Sequence, residues 1–591
     1  MTGKPAARID DKVAYARIVT GSRTVLIGTQ GGVACSICPD GVAPDTPPIG
    51  YPINPANAAK VLSGGSDLDF ALPGAMPLVW QRQYSSYVNA EQGGYCGVLG
   101  YGWGAPFELR LSVHTSATLL HDSRGRTITF DGLAAGESIY SPSEDIWLLR
   151  TGMHPGGLAQ ELAAMTGGAR FARTSQPADA ASAPTDQQAP AWWTGRFAWV
   201  SRELAVSSHV ILAANGNGDT IWVFAPANWQ AIEAARKAAR NKPVTETTEL
   251  SAPSAHWILL GKMDRLGRMQ RYHWADVLGQ QRISGIDDGV GRHYQLHYHQ
   301  ALAAQDAKHY SHKDGNFFWQ ADSGVRLTGV TLVRDPAVST SASASTPAQT
   351  TTATQPLTLV SYTYSAEGDL VAVVNRHGET VRRFAWRNHL MVFHQEASGP
   401  EHNYAYDRYE PGGQAIEQRN QGGINYQFDY RALPEADGQP RRACIVTDSL
   451  GRVETYIFQG EAGLARLVEH IRADGSTIKR SYNQYGHLTQ VTDPLGRSVR
   501  MQVGPMGQLL SAQGPDGSTS SQSYDDTTGL LHSTTDAAGR TTRYQYDRYQ
   551  RLTQVMMADG TTEQYHYPEM ASTSGAGTTG ATADPVIRLN A

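Results

Sequence analysis

Polar and apolar residues alternate along most of this chain. His293-Tyr294-Gln295-Leu296-His297-Tyr298-His299 puts Tyr294, Leu296 and Tyr298 on one face and polar side chains on the other, the pattern of a half-buried strand. Arg543-Tyr544-Gln545-Tyr546 and Gln564-Tyr565-His566-Tyr567 alternate in the same way. Asp474-Gly475, Asp516-Gly517 and Asp559-Gly560 stand between such runs and are hairpin signals. Helix is scarce. One is expected over 229–242, rich in Ala, Glu, Arg and Lys with basic residues toward its end, and a shorter one over 157–165. The pattern predicts an all-β fold, a long array of antiparallel hairpins with few short helices.

The array repeats. Asp448-Ser449-Leu450-Gly451-Arg452 recurs as Asp493-Pro494-Leu495-Gly496-Arg497 and as Asp536-Ala537-Ala538-Gly539-Arg540, at offsets of 45 and 43 residues. The Asp-Gly series at 474, 516 and 559 interleaves with it, giving a turn about every 21 residues, a period typical of stacked repeats. Looser copies begin at Asp122, Asp264 and Asn375, so the units read as continuous from 256 to 567. Each residue type has a structural reason. Asp448, Asp493 and Asp536 can bond the backbone two residues on, and Gly451, Gly496 and Gly539 take a positive φ. Arg452, Arg497 and Arg540 open the next strand and project outward or pair with a neighbouring unit's Asp. Tyr482, Tyr524, Tyr546 and Tyr567 each supply an apolar body and a polar tip, suited to the border of core and water. The competing reading of these tyrosines is a spaced sugar-binding surface.

Composition narrows the class. The chain has 591 residues, 40% hydrophobic and 18% charged, which suits large cores. The formal net charge of -5 gives no sign of a nucleic-acid partner. No apolar run approaches the roughly 20 residues of a membrane helix. Met1-Thr2-Gly3-Lys4-Pro5 lacks the apolar core of a signal peptide. Four cysteines, Cys35, Cys38, Cys96 and Cys444, are too few for a disulfide scaffold and suit cytoplasmic synthesis, with any export by another route. Stretches 174–191, 335–356 and 569–591 are rich in Ser, Thr, Ala, Pro or Gly and read as disordered linker, loop and flexible tail. They separate a region ending at 173, degenerate β repeats over 192–334 and clean repeats over 357–568.

The unit Tyr482-Asn483-Gln484-Tyr485-Gly486-His487-Leu488-Thr489-Gln490-Val491-Thr492-Asp493-Pro494-Leu495-Gly496-Arg497 and the unit Tyr546-Asp547-Arg548-Tyr549-Gln550-Arg551-Leu552 closely resemble the YD repeat of Rhs proteins. Tyr51-Pro52-Ile53-Asn54-Pro55, Lys60 to Phe70, Pro77 to Ser86 and Gly100-Tyr101-Gly102-Trp103 resemble the domain that precedes the repeats in that family, here 45–173. Gly3 to Asp11 and Ile18 to Gly28 resemble the last repeat of a PAAR domain, a cap of the type VI secretion spike, so 1–44 reads as a PAAR-like remnant without the earlier metal-binding repeats. The resemblance implies a shell that encloses a toxic polypeptide and travels on a secretion spike into a rival bacterium. Its expected partners are a toxin or the remaining shell, and the spike protein. No C-terminal plug, self-cleaving junction or toxin motif is found, so this reading expects an N-terminal portion of a shell, without enzyme activity and without a cofactor.

Candidate chemistry outside the repeats is sparse. Cys35-Ser36-Ile37-Cys38 has the spacing of half a zinc site, but no second pair completes it. His293, His297 and His299 would share one strand face, a geometry that can hold a metal and that a solvated face also explains. Asp67 and Asp69 could do paired acid–base work in a glycan-active enzyme. A glycan- or surface-binding repeat protein is the other alternative.

Overall fold

A computed structural model describes residues 12–13, 16–17, 33–34, 48–87, 96–123, 126–152, 190, 192–207, 209–232, 234, 253–302, 322–337, 356–410, 412–567 and 586–590. Among them 33 strands form one sheet, and every pairing with a defined register in it is antiparallel. From His256–Asp264 to Thr562–His566 each strand pairs with the next, so the hairpin array runs without interruption. The turn chemistry read from the sequence is local and makes each reversal independently of the rest.

The sheet forks once. Strand His256–Asp264 pairs along one edge with Thr220–Pro226. Its other edge is divided: Trp257 and Ile258 pair with Leu111 and Arg110, and Gly261 to Met263 pair with Arg271 to Met269. One branch carries Arg110–Val113, Ala117–His121 and Thr127–Asp131, the other carries the repeats.

The main core lies between the pre-repeat region and the first half of the array. Trp80, Trp103 and Tyr84 pack with Tyr294, Leu327, Tyr362 and Phe384. Short strands such as Ala59–Leu62 and Gln83–Ser85 hold this region together. A second cluster joins Ile53 to Tyr404, Phe428 and Phe458. Beyond residue 474 the wall thins to a single layer, and up to 567 only Gly504, Gln550 and Val555 are buried.

Helix is as scarce as the pattern predicts, and residues 229–232 and 234 are helical. The rest of 229–242, the stretch 157–165, and most of 174–191 and 335–356 lie outside the described residues. Two segments join the sheet where the sequence reading placed none. Val33–Ala34, within the stretch read as PAAR-like, pairs with Thr129 and Ile128. Val586–Asn590, within the stretch read as flexible, pairs with Thr562–His566. Its own residues, Val-Ile-Arg-Leu-Asn, alternate as a strand does, which the composition of the whole tail conceals.

Candidate functional site

The repeat turns are built by one carboxylate each. Asp493 Oδ1 accepts the backbone N–H of Leu495 and of Arg497, both at 2.9 Å, and Oδ2 accepts Arg497 Nε at 2.6 Å. Asp448 does the same with Leu450 and Arg452, and Asp536 with Ala538 and Arg540. Gly451, Gly496 and Gly539 sit at φ of 77°, 79° and 78°, where L side chains are strained. The arginines therefore pair with the Asp of their own turn, four residues back, and not with a neighbouring unit's. Geometry explains the difference: a four-residue reversal already brings the guanidinium over the carboxylate.

The tyrosines hold splayed strands together. In the hairpins that turn at Asp474, Asp516, Asp536 and Asp559 the ladder extends only three residue pairs, as in Ser533↔Arg543 to Thr535↔Thr541. Beyond it the strands part, and a phenol spans the gap. Tyr482 donates to Leu467 O at 2.9 Å, Tyr524 to Leu509 O at 3.2 Å, Tyr546 to Leu531 O at 3.0 Å and Tyr567 to Leu552 O at 2.9 Å. Tyr482, Tyr524 and Tyr546 also border a β-bulge toward the following strand. Bulges bend and twist a sheet. A bulge and a splay in every unit curve the wall, and the rings are half-buried and committed to that role.

The curved wall comes back on itself. Its turns fall in two rows, because successive hairpins reverse at opposite ends. The row at 483–487, 504–508, 525–530 and 547–551 lies against loops from the first strands. His487 Nε2 donates to Pro142 O at 2.7 Å, across 345 residues of sequence. Tyr140 Oη lies 3.2 Å from Met506 O. Gln550 Nε2 donates to Arg196 O at 2.8 Å and to Gly195 O at 3.3 Å, and Arg265 Nη1 donates to Gln550 O at 3.2 Å. A Cβ at Gly529 would collide with the Arg196 guanidinium. Gln550 is buried with φ at 60°, in the turn position that glycine holds at Gly486, Gly507 and Gly529. A side chain is kept at that strained position where it enters the seam. The row that carries Asp448, Asp493 and Asp536 is the other one, and it points away, with Leu450 and Leu495 69% and 78% exposed at its tips.

A charged junction fastens the pre-repeat region to the array. Arg82, fully buried, donates from Nε to Asp69 Oδ2 at 2.8 Å and lies 5.0 Å from the Trp103 ring. Asp69 Oδ2 also accepts Tyr362 Oη at 2.6 Å. Asp67 Oδ1 pairs with Arg382 Nη2 at 3.0 Å, and Arg382 Nη1 reaches Glu396 Oε1 at 2.8 Å. Burial works against the charge on Arg82, and Asp69 and Asp67 more than reverse it, raising its pKa above the ordinary value. Lys60 is also fully buried and donates to Tyr51 O at 2.6 Å and Val61 O at 3.0 Å. Burial, with Arg382 nearby, drives its pKa well below the ordinary value, against the pull of Asp67. Asp67 and Asp69, the paired carboxylates read from the sequence, are thus committed to buried arginines. Beside Asp67 and Asp69, the lone charge in Ala59-Lys60-Val61-Leu62 is a sequence signal that could have found this network.

The remaining candidates separate. Cys35 and Cys38 lie outside the described residues, and Cys96 and Cys444 are free and buried. His297 bonds Thr331 Oγ1 at 2.9 Å and His299 faces the Tyr364 ring, so neither joins His293. His293 meets residues of other strands instead. Among the described residues no helix is long and apolar enough to cross a membrane.

A sheet of bulged hairpins under Asp turns, sealed against its own beginning, defines a repeat-built β wall. Residues 526–562 match the RHS Repeat, and residues 50–130 match the Domain of unknown function (DUF6531). The chain is 31% identical over 534 residues to Toxin protein Tse5 of Pseudomonas aeruginosa, covering 90% of this chain and 33% of that protein. It is 33% identical over 103 residues to Double-stranded DNA deaminase toxin A of Burkholderia cenocepacia, 17% of this chain and 7% of that one. The chain belongs to the Rhs, or YD-repeat, family. It spans about a third of the length of Tse5. A solved structure of TcdB2-TccC3 without its hypervariable C-terminal region aligns with 62% of this chain and 20% of that one, at a TM-score of 0.32 and 11% identity.

Proposed function

We propose that this chain forms the wall of a container for a toxic polypeptide, carried as an Rhs effector by a type VI secretion spike in competition between bacteria. The wall itself catalyses nothing. The observation that carries the reading is the seam: Gln550 binds Arg196 and Gly195 across more than 350 residues of sequence, so the sheet turns through a full circuit. A curved sheet whose coils stack turn against loop surrounds a space. The likeness to two proteins named as toxins supports the cargo, and the PAAR-like residues 3–28 support the spike.

The test has two readouts. Expression of the chain in a susceptible bacterium leaves growth unchanged, and the purified chain shows a curved wall around a lumen by electron microscopy. Growth arrest would overturn the non-catalytic role, and a solid particle would overturn the container. Gln550→Gly relieves the strained φ while removing the two side-chain bonds to Arg196 O and Gly195 O, so it loosens the seam without unfolding the wall.

A further inference from the structure

Three adjacent strands bring His273, Asp287 and His293 together on the face that points away from the main core. His273 Nε2 lies 2.7 Å from Asp287 Oδ2, and His293 Nδ1 lies 2.7 Å from Asp287 Oδ1. One ligand atom from each residue lies within 4.8 Å of the others. Their strand neighbours Tyr272, Ile286 and Tyr294 are buried in the core on the opposite face.

The backbone is shaped around this trio. The register shifts at His273/Trp274, and Ser284 Oγ bonds His273 O at 3.2 Å beside the bulge. A second shift falls at His293/Tyr294 against Leu332–Arg334. Bulges re-aim side chains, and these two turn both imidazoles onto one carboxylate. Gly285 is the cross-strand partner of His273, and a Cβ there would lie 3.0 Å from His293 Cε1, so the absent side chain makes room for the rings. Arg334 Nη2 lies 4.0 Å from Asp287 Oδ1 and 3.4 Å from Gly291 O, on a side chain 63% exposed, and Arg271 is the cross-strand partner of Asp287.

We propose that His273, Asp287 and His293 form a binding site for a borderline divalent cation of the zinc class, which staples three strands of the wall. Two imidazoles and one carboxylate suit zinc, cobalt or nickel, whereas calcium and magnesium take oxygen ligands. Zinc bonds of roughly 2.0–2.2 Å need ligand atoms a little over 3 Å apart, so opening the two His–Asp contacts by about half an ångström admits the ion, with water completing the shell. The His273 side chain, 47% exposed, leaves the ion an entry path.

The test uses the full chain freed of metal with a chelator. Cobalt added to the wild type gives visible ligand-field absorption that saturates at one equivalent, and zinc displaces it and raises the melting temperature. Asp287→Asn and His293→Gln weaken binding more than tenfold and abolish the melting shift. His297→Gln, on the same strand and face, and Cys35→Ser with Cys38→Ser leave both unchanged. Circular dichroism and melting without metal confirm that each variant folds. Equal binding by Asp287→Asn and the wild type, or no binding at 100 times the protein concentration, overturns the site.

Discussion

The hydroxyl of Tyr546 donates to the carbonyl of Leu531 at 3.0 Å, across the open end of a hairpin whose ladder has already stopped. Tyr482, Tyr524 and Tyr567 repeat this bond to Leu467, Leu509 and Leu552. Tyr546→Phe keeps the ring and leaves a half-buried carbonyl unpaired. The expected cost is about 1 kcal/mol, read from the urea midpoint, with faster amide exchange confined to the hairpin 531–546. Tyr482→Phe, more than two units away, adds to it independently. A cost near zero for both sinks the bridging role.

The Asp turns separate backbone bonding from surface charge. Asp493 holds two N–H groups and one guanidinium, whereas Arg497 brings only the ion pair, with its own side chain 63% exposed. Asp493→Ala is expected to lower the denaturant midpoint clearly, and Arg497→Ala to leave it almost unchanged, because exposed ion pairs are worth little. Equal losses in denaturant melts contradict this division.

Removing one member of the charged junction strands the others. Arg82→Met leaves Asp69 with Tyr362, and Asp67 with Arg382 and the Gly64 N–H, in a region where Arg82 and Asp67 are both at most 2% exposed. Loss of one partner of a buried pair costs about 3–5 kcal/mol. The accompanying change Asp69→Leu should recover part of it. Denaturant unfolding of the single and double variants decides the matter, and a single-variant loss below 1 kcal/mol would falsify the account.

Acid should loosen the protein through its histidines. Burial lowers the pKa of His394, with Lys60, Arg382 and His402 adding to it, and burial with Arg110 lowers that of His121. Both side chains are hydrogen-bonded in the folded state, His394 to Tyr404 and His121 to Ser112 and Thr127. The unfolded chain takes up a proton at each below pH of about 6.5, and the folded chain does not. Stability is therefore full above that value and falls with acidity, by about 2 kcal/mol for His394 between pH 7 and 5, with His121 acting in the same direction. Melting temperature measured across that range should drop, and His394→Gln should flatten the slope. A flat profile in the wild type refutes it.

What was legible in the sequence was local. Asp493, Gly496 and Gly539 act within a few residues, so their turns could be read directly. Alternation located the strands and the family resemblance ordered them. The tyrosines could be found but not their bond, because it exists only where strands splay. The seam was invisible: Gln550 and Arg196 are 354 residues apart, and nothing in either neighbourhood announces the other. The junction was half visible, since Asp67 and Asp69 stood out while Arg382 looked like any strand arginine. His293 was noticed with the wrong companions, because a strand pattern shows neighbours along the chain and not across bulged registers.

The seam and the ladders differ in kind. Within the wall each strand is held by rows of backbone bonds, whereas the closure rests on a handful of side-chain contacts around Arg196, Met506 and Gln550. Separating the overlapping coils therefore takes a small fraction of the energy of unfolding one. A vessel made this way can dilate along a single line and close again, and the strength of that line is adjustable by a few side chains without touching the sheet.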